Sequence, residues 1–200
     1  MKSLRLIAIA LLIGARCLAQ DMPPLATDRV RIIGPEETKL FDVRASNKAP
    51  EADASKMYYW YSANEIHTTQ GGYSGKPLNG SYAVYYANKQ LKEQGSFDRG
   101  LKDGTWKAWT SEGVLLKSEN WGKGILSGPF VIYNEGKPAR AGHYKNGVLN
   151  GLLVNYHAAG LPADTLNYKN GKAVPIKPPF IKRIHLFGKK RPAADTLKRQ

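Results

Sequence analysis

The sequence has one cysteine in 200 residues, Cys17. A single thiol excludes a disulfide framework and any multi-cysteine metal site. Acidic residues are scarce too: 16 Asp and Glu stand against 30 Lys and Arg, a formal charge of +14. Long apolar runs are missing except for residues 6–15, which as a helix reach about 15 Å, half a bilayer core. No window combines a sustained helical period with caps, so nothing points to a helical fold. Catalytic signatures are equally sparse. His67, His143 and His157 share no repeat position and no metal-ligand spacing. Ser74, in Gly72-Tyr73-Ser74-Gly75, lacks the nucleophile-elbow pattern. Gly75-Lys76 is followed by Pro77, where a phosphate-binding loop needs Ser or Thr. Glu112 and Glu135 recur beside turn glycines, a placement that turn geometry and solvation explain. The expectation is a non-enzyme with no metal and no cofactor.

What the chain does have begins at its start. Lys2 and Arg5 precede the short apolar run, and Cys17-Leu18-Ala19 puts small residues at the third-last and last positions before a cut after Ala19. Residues 1–19 therefore read as an export signal, which predicts a periplasmic, outer-membrane-associated or secreted protein. A lipoprotein would acylate Cys17, but the preceding Gly14-Ala15-Arg16 fits that signal poorly. Cleavage after Ala19 leaves no cysteine in the mature chain.

The charge is unevenly spread. The signal carries +3 and the segment from Pro175 onward +7, which leaves +4 for residues 20–174. A nucleic-acid binder needs bases clustered on its folded surface, and this nearly balanced body does not supply them. No nucleic-acid partner is expected.

The strongest signal is an internal repeat. Glycines recur at Gly80, Gly104, Gly128 and Gly151, and again at Gly100, Gly124, Gly147 and Gly171, at intervals of 23 or 24 residues. Three aromatic columns keep the same step. The first is Tyr58, Tyr82, Trp106, Phe130, closed by Leu153; the second is Tyr61, Tyr85, Trp109, Tyr133, Tyr156; the third is Tyr73, Phe97, Trp121, Tyr144, Tyr168. These columns define five units: 57–80, 81–104, 105–128, 129–151 and 152–174. Each unit reads as a β-hairpin. A short aromatic strand such as Thr105 to Trp109 leads to a turn such as Ser111-Glu112-Gly113, Asn134-Glu135-Gly136 or Ala158-Ala159-Gly160, then to a second strand such as Leu115 to Trp121. Asn-Gly or Asp-Gly pairs at 79–80, 103–104, 146–147, 150–151 and 170–171 supply residues that tolerate the positive φ of tight turns. Ten strands at about 4.8 Å make an all-β, elongated antiparallel strip about 45–50 Å long.

A lone hairpin cannot bury its apolar face, so the units must stack. The glycines and the first and third aromatic columns are thus structural repeat residues. The second column lies three residues after the first, and in a regular strand residues i and i+3 point to opposite faces. Tyr61, Tyr85, Trp109, Tyr133 and Tyr156 are therefore the candidate binding residues, lining an exposed groove for another protein.

The pattern Gly-x-Trp/Tyr-x-x-Trp/Tyr, a glycine turn, then Tyr-x-x-Gly-x-x-x-Gly resembles MORN repeats. It is most similar to the 24-residue bacterial variant called antitoxin-like, and it covers residues 57–174. The resemblance implies an elongated run of hairpins that serves as a scaffold or protein-binding surface. It also implies placement in a bacterial cell envelope, or alternatively an antitoxin or immunity role in which the strip masks a toxin.

The flanks complete the plan. Within residues 20–56, Arg29 to Ile33 and Leu40 to Arg44 form short strands around Gly34-Pro35, a cap for the open end of the strip, and Asn47 to Lys56 is a linker. From Pro175 the chain leaves the sheet as a flexible, Pro-rich basic tail. Phe180, Ile181, Ile184 and Phe187 are spaced as a short helical stripe able to cap the last unit, and Lys182, Arg183, Lys189, Lys190 and Arg191 suit an anionic membrane surface or glycan.

Overall fold

The computed structural model describes residues 27–45, 52–158 and 160–176. The export signal and the tail residues Lys182, Arg183, Lys189, Lys190 and Arg191 lie outside the described residues. Among those described, every regular element is a β-strand. An N-terminal hairpin pairs β1 (Thr27–Ile33) with β2 (Glu37–Arg44), and a second hairpin pairs β3 (Met57–Ser62) with β4 (Glu65–Gln70). Eleven further strands follow, eight of six residues or more and three of only two or three. These are β5 (Lys76–Tyr86), β6 (Leu91–Asp98), β7 (Leu101–Trp109), β8 (Leu115–Gly122), β9 (Ile125–Leu126), β10 (Gly128–Asn134), β11 (Lys137–Lys145), β12 (Val148–Leu149), β13 (Gly151–Tyr156), β14 (Pro162–Lys169) and β15 (Lys172–Val174). All pairings are antiparallel, and the main path runs β1-β2-β5-β6-β7-β8-β10-β11-β13-β14-β15 without closing. The expected all-β hairpin strip is what the chain forms.

Among the described residues the repeat region holds thirteen strands rather than ten, beside β1 and β2 of the cap, because links between hairpins pair too and add the short β9, β12 and β15. Arg99-Gly100, Lys123-Gly124, Asn146-Gly147 and Asn170-Gly171 are two-residue turns with both φ angles positive, near 50° and 80°. That is the backbone of a type I′ turn, whose twist matches antiparallel strands. Each link is pinned to the one before it: the N–H of Gly100, Gly124, Gly147 and Gly171 donates to the carbonyl of Leu78, Lys102, Leu126 and Leu149, at 2.7–2.9 Å.

Only two of the five Asn-Gly and Asp-Gly pairs form such turns, those at 146–147 and 170–171. The pairs at 79–80 and 103–104 lie inside β5 and β7. There the glycine alone has positive φ, and the preceding side chain reaches the next link. Asn79 Oδ1 accepts from the Arg99 N–H and Asp103 Oδ1 from the Lys123 N–H, each at 3.0 Å.

Neighbouring units meet along two separate short ladders. β8 pairs with β10 only through Lys117 and Ser118, and with β9 through Trp121 and Gly122. β11 repeats this with β13 through Arg140 and Ala141, and with β12 through Tyr144 and Lys145. The ladders leave a gap between them, and the first aromatic column fills it. Trp106, Phe130 and Leu153 are accordingly buried.

The N-terminal hairpin caps the strip by pairing β2 along β5, from Glu37↔Tyr86 to Val43↔Leu78. It thereby takes the edge that the repeat would give to the first unit. The β3–β4 hairpin is displaced and meets β5 only at Lys76 and Pro77. Tyr59, Tyr61 and Ile66 of that hairpin pack onto a core of Phe41, Val43, Leu78, Phe97 and Trp106. Phe41, Val43 and Leu78 are the most deeply buried side chains. At about 25 cal/mol per Å² of apolar surface, each contributes roughly 1.5–3 kcal/mol.

Candidate protein-binding face

The two faces of the strip differ in chemistry. In β7, Trp106 and Ala108 point to the core face, while Thr105, Lys107 and Trp109 point the other way. The same alternation places Tyr85, Tyr133 and Tyr156 on the outer face, opposite Tyr82, Phe130 and Leu153. Just before each outer aromatic the register slips by one residue. Val84/Tyr85, Ala108/Trp109, Ile132/Tyr133 and Asn155/Tyr156 all mark such a bulge. The extra residue is on the returning strand: Lys92, Leu116, Ala139 or Ala163. The bulge keeps the return strand aligned while pairing each outer aromatic with an apolar residue. The pairs are Tyr85↔Leu91, Trp109↔Leu115, Tyr133↔Pro138 and Tyr156↔Pro162.

Cross-strand partners share a face. The result is a stripe of alternating aromatic and aliphatic side chains across four hairpins. With two strand spacings per unit it runs about 29 Å. Its four aromatic residues are half-buried, while Pro138 and Pro162 are exposed. A small cleft of about 100 Å³ opens at its far end, lined by Asn134, Lys137, Pro138, Tyr156 and His157 among others.

Tyr61 is not part of this stripe. Its ring lies 5.5 Å from Phe41 at 61°, an edge-on contact inside the core. In β3 the roles are exchanged. Tyr58, from the first column, packs on Tyr73, while the second-column residue faces the main core. The displaced hairpin turns this one member of the column inward.

The third column stands across from the kink glycines: Gly80↔Phe97, Gly104↔Trp121, Gly128↔Tyr144 and Gly151↔Tyr168. Column one and column three meet within a unit, with ring centroids 5.3 Å apart for Tyr82 and Phe97 and 4.7 Å for Phe130 and Tyr144. These residues have the structural role their period predicts.

The core face holds a polar group that the sequence reading did not single out. Lys102 occupies the position filled by Leu78, Leu126 and Leu149 in the other units. Its Nζ lies 3.8 Å from the Trp106 ring centroid, 5.4 Å from that of Trp121 and 5.7 Å from that of Tyr59, with Glu93 Oε1 at 3.5 Å. Burial lowers its pKa, and Glu93 opposes that shift. Two glycines were also missed. A Cβ at Gly95 would fall inside the Trp106 indole, and one at Gly142 would stand 2.8 Å from Phe130 and 3.0 Å from Leu153. Positions 95, 119, 142 and 166 keep the 23/24 step, so the same ruler reaches them.

The histidines are not brought together. His67 stacks on Trp60 at 4.4 Å, whereas His143 and His157 belong to β11 and to the turn before β14. Among the described residues no group of three His, Cys, Asp or Glu is arranged to hold a metal ion. No protein-family model matches the chain, and no curated protein matches it.

Proposed function

We propose that the protein is a non-enzymatic, exported repeat scaffold that binds another protein through the outer stripe of Tyr85, Trp109, Tyr133 and Tyr156. The observation that supports this most is the repetition of an aromatic–aliphatic pair on the face opposite the core in four successive hairpins. Core packing is served by the first and third columns, and a stripe that the core does not use is a contact surface. Tyrosine and tryptophan give large, stiff contact areas at low entropic cost, which suits an interface. The resemblance to MORN repeats and the signal-like first nineteen residues support an envelope or secreted setting. On this reading Trp109 and Tyr133, in the middle of the stripe, carry most of the affinity.

The test is capture of partners from an envelope fraction with the wild type and with Trp109→Ala and Tyr133→Ala. Loss of a specific partner, with thermal unfolding unchanged, is the expected result. Equal recovery by folded variants would remove the stripe from the interface. If the captured partner is a toxin whose activity the wild type suppresses on co-expression, the scaffold acts as an immunity protein.

A further inference from the structure

The outer stripe has a fixed step. Tyr85, Trp109, Tyr133 and Tyr156 stand on β5, β7, β10 and β13, and one return strand separates each of these from the next. Successive aromatic residues are therefore two strand spacings apart, about 9.4–9.8 Å. Three such steps carry the row from Tyr85 to Tyr156, with Leu91, Leu115 and Pro138 in the intervals. A partner that uses every aromatic residue has to repeat at the same step.

Backbone repeats separate the forms that such a partner can take. A β-strand presents side chains on one face every 6.6–6.8 Å or about that, so they fall between the aromatic residues. An α-helix, at about 5.4 Å per turn, needs two turns per step and drifts about 4 Å over the row. A polyproline II helix has three residues per turn at about 3.1 Å each, a repeat of about 9.3 Å, and drifts only about 1 Å. Ten residues in that form set the first, fourth, seventh and tenth over the four aromatic residues. The chemistry beside the row agrees. A polyproline II backbone makes no internal hydrogen bonds, so its carbonyls need donors. Gln94 and Lys107 are exposed on the same face, and Ser118 stands across from Lys107. The cleft of about 100 Å³ is lined by both Pro138 and Tyr156, within one interval of the row, where it takes a small ring.

We propose that the segment bound by the stripe is a proline-rich stretch of the partner protein, about ten residues long and held as a polyproline II helix. This inference rests on the reading of the stripe as the interface. Proline at every third position stacks on Tyr85, Trp109, Tyr133 and Tyr156 in turn, and Gln94 and Lys107 donate to carbonyls along one side of the helix. A polyproline II segment is stiff before it binds, so little conformational entropy is lost on a surface that is itself a rigid sheet.

Fluorescence anisotropy of labelled oligoprolines of four, seven and ten residues, titrated with the full chain, tests this. Binding of the ten-residue peptide should be saturable, and affinity should rise with each added turn. Trp109→Ala, with thermal unfolding unchanged, should weaken the ten-residue peptide about tenfold. No saturable binding of that peptide would overturn the proposal, as would affinity that ignores length or is untouched by Trp109→Ala. A partner captured through Trp109 and Tyr133 whose binding segment holds no proline would also overturn it, while leaving the stripe as the interface. Partner capture that neither Trp109→Ala nor Tyr133→Ala alters would remove the stripe, and this proposal with it.

Discussion

The Lys102 ammonium lies 3.8 Å from the centre of the Trp106 ring, in a position that holds leucine in the neighbouring units. Burial works against the charge, while cation–π contacts and Glu93 favour it. Burial prevails, since the pKa is lowered. A lysine whose folded pKa lies below its unfolded value costs stability at neutral pH. That cost fades as pH rises through the folded pKa towards the unfolded value of about 10.4. Lys102→Leu should therefore raise stability at pH 7 by about 1 kcal/mol, a Tm gain of a few degrees. The gap to wild type should narrow between pH 7 and pH 10. Tyr82, whose hydroxyl burial pushes upward, destabilises both proteins alike at the alkaline end, so the difference isolates Lys102. Thermal unfolding of both proteins across that range is the measurement.

Gly95 has no room for a side chain because the Trp106 indole crosses its Cα, and Trp106 Nε1 donates to the Ser96 carbonyl at 3.2 Å. Gly95→Ala should cost about 1–3 kcal/mol by overpacking. Gly72→Ala meets no atom within 4 Å and serves as the control, with little change expected. Adding Trp106→Leu to Gly95→Ala should cost less than the sum of the two single changes, because the pair shares one space. Urea denaturation of the four variants measures this coupling.

Much of this was legible in the sequence because the repeat is local. A period of 24 residues fixes which side chains share a column, and the hairpin strip results from it. Residues 29–33 and 40–44 also read correctly as strands, inside β1 and β2. What the period does not encode is competition for an edge. β2 and the β3–β4 hairpin both suit the flank of β5, and β2 wins with Phe41 and Val43, which are wholly buried there. That choice depends on side-chain packing between segments some 40 residues apart, and it turns Tyr61 from the outer stripe into the core. Lys102 and Gly95 went unread for a different reason. Lys102 is the exception in a column of leucines, while the column of Gly95 shares glycine with Gly142 but holds Glu119 and Leu166 elsewhere, so no single type marks it.

Lys89 stands where the later units have Gly113, Gly136 and Gly160, and it has their backbone, with φ at 69°. The left-handed region costs a non-glycine residue about 1–2 kcal/mol. Lys89→Gly should therefore stabilise the β5–β6 hairpin by roughly 1 kcal/mol, less a few tenths for the added freedom of the unfolded chain. No hydrogen bond is lost, since the Lys89 N–H that donates to the Tyr86 carbonyl at 2.9 Å belongs to the backbone. A higher urea midpoint with an unchanged m-value is the expected result.

Asp42 ties the N-terminal hairpin to the first kink. It sits at the irregularity between Phe41 and Val43, only 9% exposed. Arg29 Nε donates to its Oδ1 at 2.8 Å and Arg29 Nη2 to its Oδ2 at 3.2 Å. The Ser81 N–H and hydroxyl donate to the same Oδ2 at 3.0 and 2.6 Å. The Arg29 hydrogen bonds, joined by those from Ser81, hold its pKa below the usual carboxylate range. A carboxylate depressed in the folded state contributes stability above its unfolded pKa, about 3.9, and loses that contribution as pH falls through the folded value. Asp42→Asn keeps the shape but removes the charge, so at pH 7 it should cost about 1–3 kcal/mol. Below pH 4 the unfolded chain takes up the proton first, so the contribution shrinks, and the two proteins should converge as pH falls towards the depressed folded value. Glu37, lowered by Lys92 and Lys39, adds to the acid sensitivity of both proteins and does not enter the difference. Urea midpoints at pH 7, 4 and 3 decide the matter: a gap that stays constant with pH would mean that the Asp42 charge does not hold the cap to the strip.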